Sequence, residues 1–186
     1  MQKVVYEFES DFSRLPPSAR EIGRAVAQRY QERPLLVNGY KFDCRVYLAI
    51  ISSDPLIAYV YDDGLVRFAT RPFAAPSSEN ENELRMHLTN FALNSGENHQ
   101  IQTLAGGMQS KWTLRAFYAY LEAHPPPGWE GTAARARAES AVREVLQKAL
   151  AALEGSIAEE AAKTPTRARY FGLYGADVLF DESMEA

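Results

Sequence analysis

The chain has 186 residues, 46% of them hydrophobic and 24% charged, with a formal net charge of −4; this suits one ordinary globular domain able to bury a core. That acidic balance excludes nucleic-acid binding by bulk electrostatics, and no apolar run approaches the roughly 20 residues of a membrane span. The start, MQKVVYEFESDF, carries acidic residues where a signal peptide has its apolar region, and Cys44 is the single cysteine; the expectation is an intracellular protein without internal disulfides, nucleic acid or membrane partner.

In chain order, PPSAREIGRAVAQRY opens on a proline pair with a capping box of Ser18 and Glu21, and Ile22, Val26 and Tyr30 recur at helical spacing. Pro34 stops that pattern. PLLVNGYKFDCRVYLAIIS then reads as strand with a turn at Asn38-Gly39. Alternation along this strand puts Lys41, Asp43 and Arg45 on one face, and Phe42, Cys44 and Val46 on the other. LIAYVYDDGLVRFAT predicts a hairpin turning at Asp63-Gly64. RPFAAPSSENENELR is a polar loop, and HLTNFALN is too short to assign.

SKWTLRAFYAYLEA has helical spacing at Trp112, Ala116 and Tyr120, and HPPPG ends it. A longer helix follows, with Val142, Val145, Leu146, Ala149, Leu150, Leu153 and Ile157 as one apolar stripe after an alanine-rich start. YFGLYGADVLFDE is a closing strand. The class is α+β, an antiparallel sheet with packed helices.

Four clusters carry candidate chemistry: Lys41, Asp43 and Arg45; Arg67; His87, Thr89 and Asn90; and Asp177 with Asp181, whose spacing puts both carboxylates on the same side of the last strand. Cations beside paired carboxylates are what a phosphate-plus-magnesium site needs. Each piece also has a plainer reading: a solvated sheet face for Lys41–Arg45, a surface residue for Arg67, a structural hydrogen-bonder in His87, and a turn at Asp181-Glu182. There is no Walker loop and no Rossmann glycine pattern, and His87, His99 and His124 are too scattered for a zinc site.

Taken together, QRYQERPLLVNGYKFDCRVYLAIISSDPLIAYVYDDGLVRFATRPF, HLTNFALN, SKWTL and YGADVLFDE resemble the tubulin tyrosine ligase-like family of ATP-grasp ligases, nearest its glutamate-adding members, the tubulin polyglutamylases. The resemblance implies a partial ATP-grasp domain over 25–186, with 1–24 a segment of separate character. It implies an ATP-dependent, Mg²⁺-assisted ligase that joins free glutamate to glutamate side chains of tubulin tails, in the cytoplasm at microtubules, cilium or basal body. Gln28, Arg29, Tyr30 and Gln31 would form the adenine hinge, a short strand in the family over Ala25–Tyr30. Lys41 and Asp43 would meet the nucleotide, and Thr89 and Asn90 its phosphates. Arg45 and Arg67 would be catalytic, facing the acyl phosphate and the incoming amino acid. Phe91, Ala92 and Lys111 would help bind that amino acid, and Asp177 would be a magnesium ligand.

The sequence departs from the family in four places. Gln31 replaces an apolar hinge residue, Phe91-Ala92 stands where Tyr-Ser is common, no Glu-x-Asn pair follows DVLFDE, and the stretch before the hinge is short. The expectation is therefore a weak or incomplete ligase, or a non-catalytic module binding tubulin or nucleotide; glycine or tyrosine are the alternative amino acids. Arg135, Arg137, Arg143 and Lys148 on the long helix are candidates for holding an acidic tail, or else a solvated helix face.

Overall fold

A computed structural model describes residues 29–96, 100–163 and 171–186. The chain divides into two units at Glu32 and Arg33, and the architecture below is that of the second. The proposed capping box and most of the Ile22–Tyr30 helix lie outside the described residues; Arg29 and Tyr30 are in neither helix nor strand.

The frame is a five-stranded antiparallel sheet. Strand β1 (Leu36–Val37) and β2 (Tyr40–Ser53) are joined through Asn38 and Gly39, both at positive φ (50° and 81°), the geometry that a two-residue hairpin turn demands. Strand β3 (Leu56–Phe68) takes the other edge of β2, β4 (Lys111–Thr113) extends β3, and β5 (Gly172–Val178) pairs with β2 beyond β1. The two ends of this second unit meet here: Leu35 N–H donates to the Phe180 carbonyl at 2.9 Å.

The hairpin lies elsewhere than the Asp63-Gly64 signal predicts. Ser53 pairs with Leu56, so the chain reverses at Asp54-Pro55, and Asp63-Gly64 sits inside β3. The Asp63 carboxylate accepts from the N–H groups of Gly64 (2.8 Å) and Arg115 (3.2 Å). It serves the start of a helix, where unpaired N–H groups seek an acceptor.

That helix, α3 (Leu114–Ala123), follows two four-residue helices, α1 (Leu84–His87) and α2 (Phe91–Asn94). Its N-cap is Thr113, whose hydroxyl accepts from Ala116 N–H at 3.1 Å. Trp112, expected at its start, is in β4 and packs on Tyr120 from there, the rings 5.2 Å apart. The long helix α4 spans Gly131–Ala162. Its buried contacts are Ala134, Ala138, Ala141, Val142 and Leu146, so the small alanines make the close approach, and the predicted stripe leaves the core after Leu146, with Ala149 exposed, Leu150 and Ile157 partly buried and Leu153 52% exposed.

One face of the sheet and these helices enclose the core. Phe42, Cys44 and Val46 of β2 join Val66, Phe68, Leu114, Phe117, Leu121, Phe180 and Met184. The Phe42 and Phe117 rings are 4.9 Å apart, and both approach Phe180 at 6.2 Å, within the range where aromatic pairs attract.

Candidate functional site

The opposite face of the sheet carries the charges, and strand register assembles them. Asp43 on β2 lies directly across from Arg67 on β3, and Arg67 from Lys111 on β4. Two residues along β2, Arg45 faces Asp177 on β5. Residues that share a face at adjacent ladder positions have side chains within reach, and these pairs close. Arg67 Nε donates to Asp43 Oδ1 at 2.7 Å, and its Nη2 donates to Asp43 Oδ2. Arg67 Nη2 also reaches Asp177 Oδ1 at 2.9 Å, and Arg45 Nε donates to that oxygen at 2.5 Å. Gly175 makes this approach feasible, because a Cβ there would press on the Arg45 side chain.

This is no solvated sheet face. Lys41 and Asp43 are each 4% exposed. The cover is the chain leaving β3: Ala69 N–H donates to the Lys41 carbonyl at 2.9 Å, and Phe73 N–H to the Gly39 carbonyl at 2.8 Å. That sets the Phe73 ring 5.9 Å from the Lys41 ammonium. Burial pulls the Lys41 ammonium down to about 8, with Asp43 opposing the shift. Burial also works against the Arg67 charge, but hydrogen bonds and charge from Asp43, then Asp177, outweigh it and hold the guanidinium above its ordinary value.

The HLTN segment closes one end. His87 is buried, its Nε2 3.0 Å from the Asn80 carbonyl and its ring edge-on to Phe73. Burial lowers its pKa, the Asn80 carbonyl opposes this, and the nearby Lys41 charge reinforces it. Thr89 is buried, Asn90 and Phe91 are partly so, and Ala92 is exposed. Lys111 Nζ sits 4.6 Å from the Phe91 ring centroid, a cation–π distance.

Lys41, Asp43, Arg45, Arg67, Lys111, Asp177 and Phe91 are thus brought together. Gln28 lies outside the described residues, and Arg29, Tyr30 and Gln31 belong to the first unit. Asp181 does not join Asp177; it lies beyond β5, and its Oδ1 accepts from the N–H groups of Ser183 (2.8 Å) and Glu185 (2.9 Å) in a closing turn. The helical arginines are engaged as well: Arg135 with Glu122 and Glu139, Arg137 with Glu144 and Glu185, and Arg143 with Glu139. Sequence reasoning missed Phe73 and Asn94. A lone aromatic in a polar loop is a usable signal for Phe73; nothing local marks Asn94.

A magnesium centre needs several oxygen donors. The Asp177 Oδ1 already holds two guanidinium groups, and among the described residues no group of three His, Cys, Asp or Glu side chains could hold a metal. The described residues do not fit the ion by themselves. Two concavities, of about 430 and 480 Å³, lie away from the charged row, one against Leu35, Tyr120, His124 and Pro125–Pro127, the other against Trp112 and Ala116.

The chain is 33% identical over 168 residues to tubulin polyglutamylase ttll-5 of Caenorhabditis elegans, covering 88% of this chain and 22% of that protein. It is 34% identical over 165 residues to mouse (Mus musculus) tubulin polyglutamylase TTLL5, covering 86% and 12%, and 41% identical over 99 residues to human (Homo sapiens) tubulin polyglutamylase TTLL13, covering 53% and 12%. It spans less than a quarter of the length of these relatives. Residues 5–186 match the tubulin-tyrosine ligase family, and the chain belongs to that family.

Proposed function

We propose that this chain contributes the nucleotide and amino-acid floor of an ATP-dependent ligase that joins glutamate to glutamate side chains of a protein, tubulin tails being the substrate class. The observation that carries the reading is a row of four cations on one face of the sheet, Lys41 buried and Arg45, Arg67 and Lys111 partly buried, gathered with Asp43 and Asp177, on a chain that is acidic overall. Such a row is an anion site held in place before the anion arrives.

In the reaction the acceptor carboxylate takes the γ-phosphoryl group of ATP, releasing ADP. The amine of free glutamate then attacks the acyl carbon, phosphate leaves, and an isopeptide bond remains. Lys41 holds the nucleotide. Asp43, expected beside it at the ribose, also carries Arg67 and fixes its guanidinium. Thr89 and Asn90 meet the phosphates, and Gln28–Gln31 the adenine. Arg45 and Arg67 face the oxygen on which charge develops, where one such donor is worth about 3 kcal/mol. Lys111, Phe91 and Ala92 orient the incoming amino acid. Asp177, which the family resemblance assigns to Mg²⁺, holds Arg45 and Arg67 in place. Residues 25–186 are read as the part of the ligase domain present, acting in the cytoplasm at microtubules, including cilium or basal body.

The test is a ligation assay read by mass spectrometry, with the chain, Mg-ATP, equimolar glutamate, glycine and tyrosine, and glutamate-rich tubulin-tail peptides. The reading expects a peptide mass gain of one or more glutamate residues that requires ATP. The engaged Asp177 favours one second reading, a module that binds nucleotide or tubulin without turnover; it expects co-sedimentation with microtubules and no mass gain.

A further inference from the structure

Asn94 is 4% exposed and lies at the end of α2. Its side-chain amide makes four hydrogen bonds. Oδ1 accepts from Thr70 N–H at 2.9 Å and from the Thr70 hydroxyl at 2.8 Å. Nδ2 donates to the Leu88 carbonyl at 2.7 Å and to the Asn90 carbonyl at 3.1 Å. Thr70 N–H can only donate and the two carbonyls can only accept, so the amide's orientation follows from its partners. The carbonyls it grips bracket Thr89 and Asn90. Its other end grips Thr70, one residue beyond the Ala69 N–H that binds the Lys41 carbonyl.

We infer that Asn94 is a positioning residue: its amide clamps the Leu88–Asn90 backbone to the end of β3, setting Thr89 and Asn90 at a fixed distance from Lys41 for nucleotide phosphates. The inference rests on the nucleotide reading above. A buried amide satisfied on both sides is stiff, since releasing either end leaves a polar group without a partner. A backbone link runs beside the clamp, since the Thr70 and Arg71 N–H groups also donate to the Arg85 carbonyl at 3.0 and 3.1 Å, but it ends three residues short of Leu88 and does not touch the Leu88–Asn90 carbonyls.

The experiment compares ATP and AMP affinities, by calorimetric titration, for the full chain, Asn94→Asp, Thr70→Val, Thr70→Ser and Lys41→Ala, with melting temperature recorded for each. Asn94→Asp keeps the acceptor for Thr70 but sets an acceptor against two carbonyls; Thr70→Val removes one donor, and Thr70→Ser keeps it. A displaced phosphate contact lowers the ATP-to-AMP affinity ratio about tenfold in Asn94→Asp and about threefold in Thr70→Val, with the ratio kept in Thr70→Ser; these are the sizes of a lost bond or two. A merely structural role lowers melting temperature and leaves the ratio alone. An unchanged ratio in Thr70→Val, beside weaker binding in Lys41→Ala, overturns the inference and spares the nucleotide reading. Thr70→Val decides the question by itself if Asn94→Asp fails to fold. No nucleotide binding in the unmodified chain overturns both.

Discussion

Strand β2 is one element with two contrasting halves. Its first half carries Lys41 and Asp43, and both are buried; its second half is apolar, and Ile51 is exposed. The neighbours of the second half repeat the inversion, with Tyr59 61% and Leu173 72% exposed. Polarity alone would place these residues the other way round. What decides is cover: the helices, the Phe73 loop and the HLTN segment gather over the charged half. Burying charges costs stability unless each is matched, so the fold holds this region in a demanding state.

Four substitutions probe the contrast, from the largest effect to the smallest. Phe117→Ala empties the aromatic core beneath the charged half and should cost about 4 kcal/mol in chemical denaturation. Asp43→Asn strips Arg67 of its two-point partner while leaving the guanidinium buried, and should cost about 3 kcal/mol by the same method. Lys41→Met should hold or raise stability, since it removes a buried charge, while weakening ATP binding about tenfold. Tyr59→Ser, on the exposed half, should change stability by no more than about 0.5 kcal/mol. A Tyr59→Ser effect as large as that of Asp43→Asn would erase the distinction between the halves.

Titration sharpens it further. The folded Lys41 ammonium loses its proton near pH 8, below its ordinary 10.5. Between those values the unfolded chain binds more protons, so stability should climb as pH rises from 8 to 10.5. ATP affinity should fall over the same rise, and Lys41→Met should abolish both trends. On the acid side the sign reverses. The folded His87 resists protonation, so stability should drop as pH falls below 6.5, where the unfolded chain takes up a proton.

Much of the fold was legible because local rules decided it. Asn38-Gly39 turned where such a pair turns, and β5 closed the sheet as its pattern predicts. The Asp63-Gly64 signal misled because Asp63 answers to a helix that is distant in sequence. The alanines of α4 look featureless in one dimension, yet their small size lets the helix approach the core. At the site, alternation marked Lys41, Asp43 and Arg45 as sharing a face, residue type picked out Arg67 and Asp177, and the family resemblance added Lys111. Pairing across strands was not readable, since register depends on turns and edges far along the chain. Asn94 was invisible for the same reason: its partner Thr70 is set by tertiary packing.

The central claim is that the buried charged half of the sheet receives a nucleotide. Titrating ATP into the chain and into Lys41→Met at pH 7, with melting temperature measured for both, tests it most directly. Saturable binding to the chain, about tenfold weaker in the variant, is the expected result, with a melting temperature that does not fall. Equal affinities, or no ATP binding to the folded chain, would contradict it.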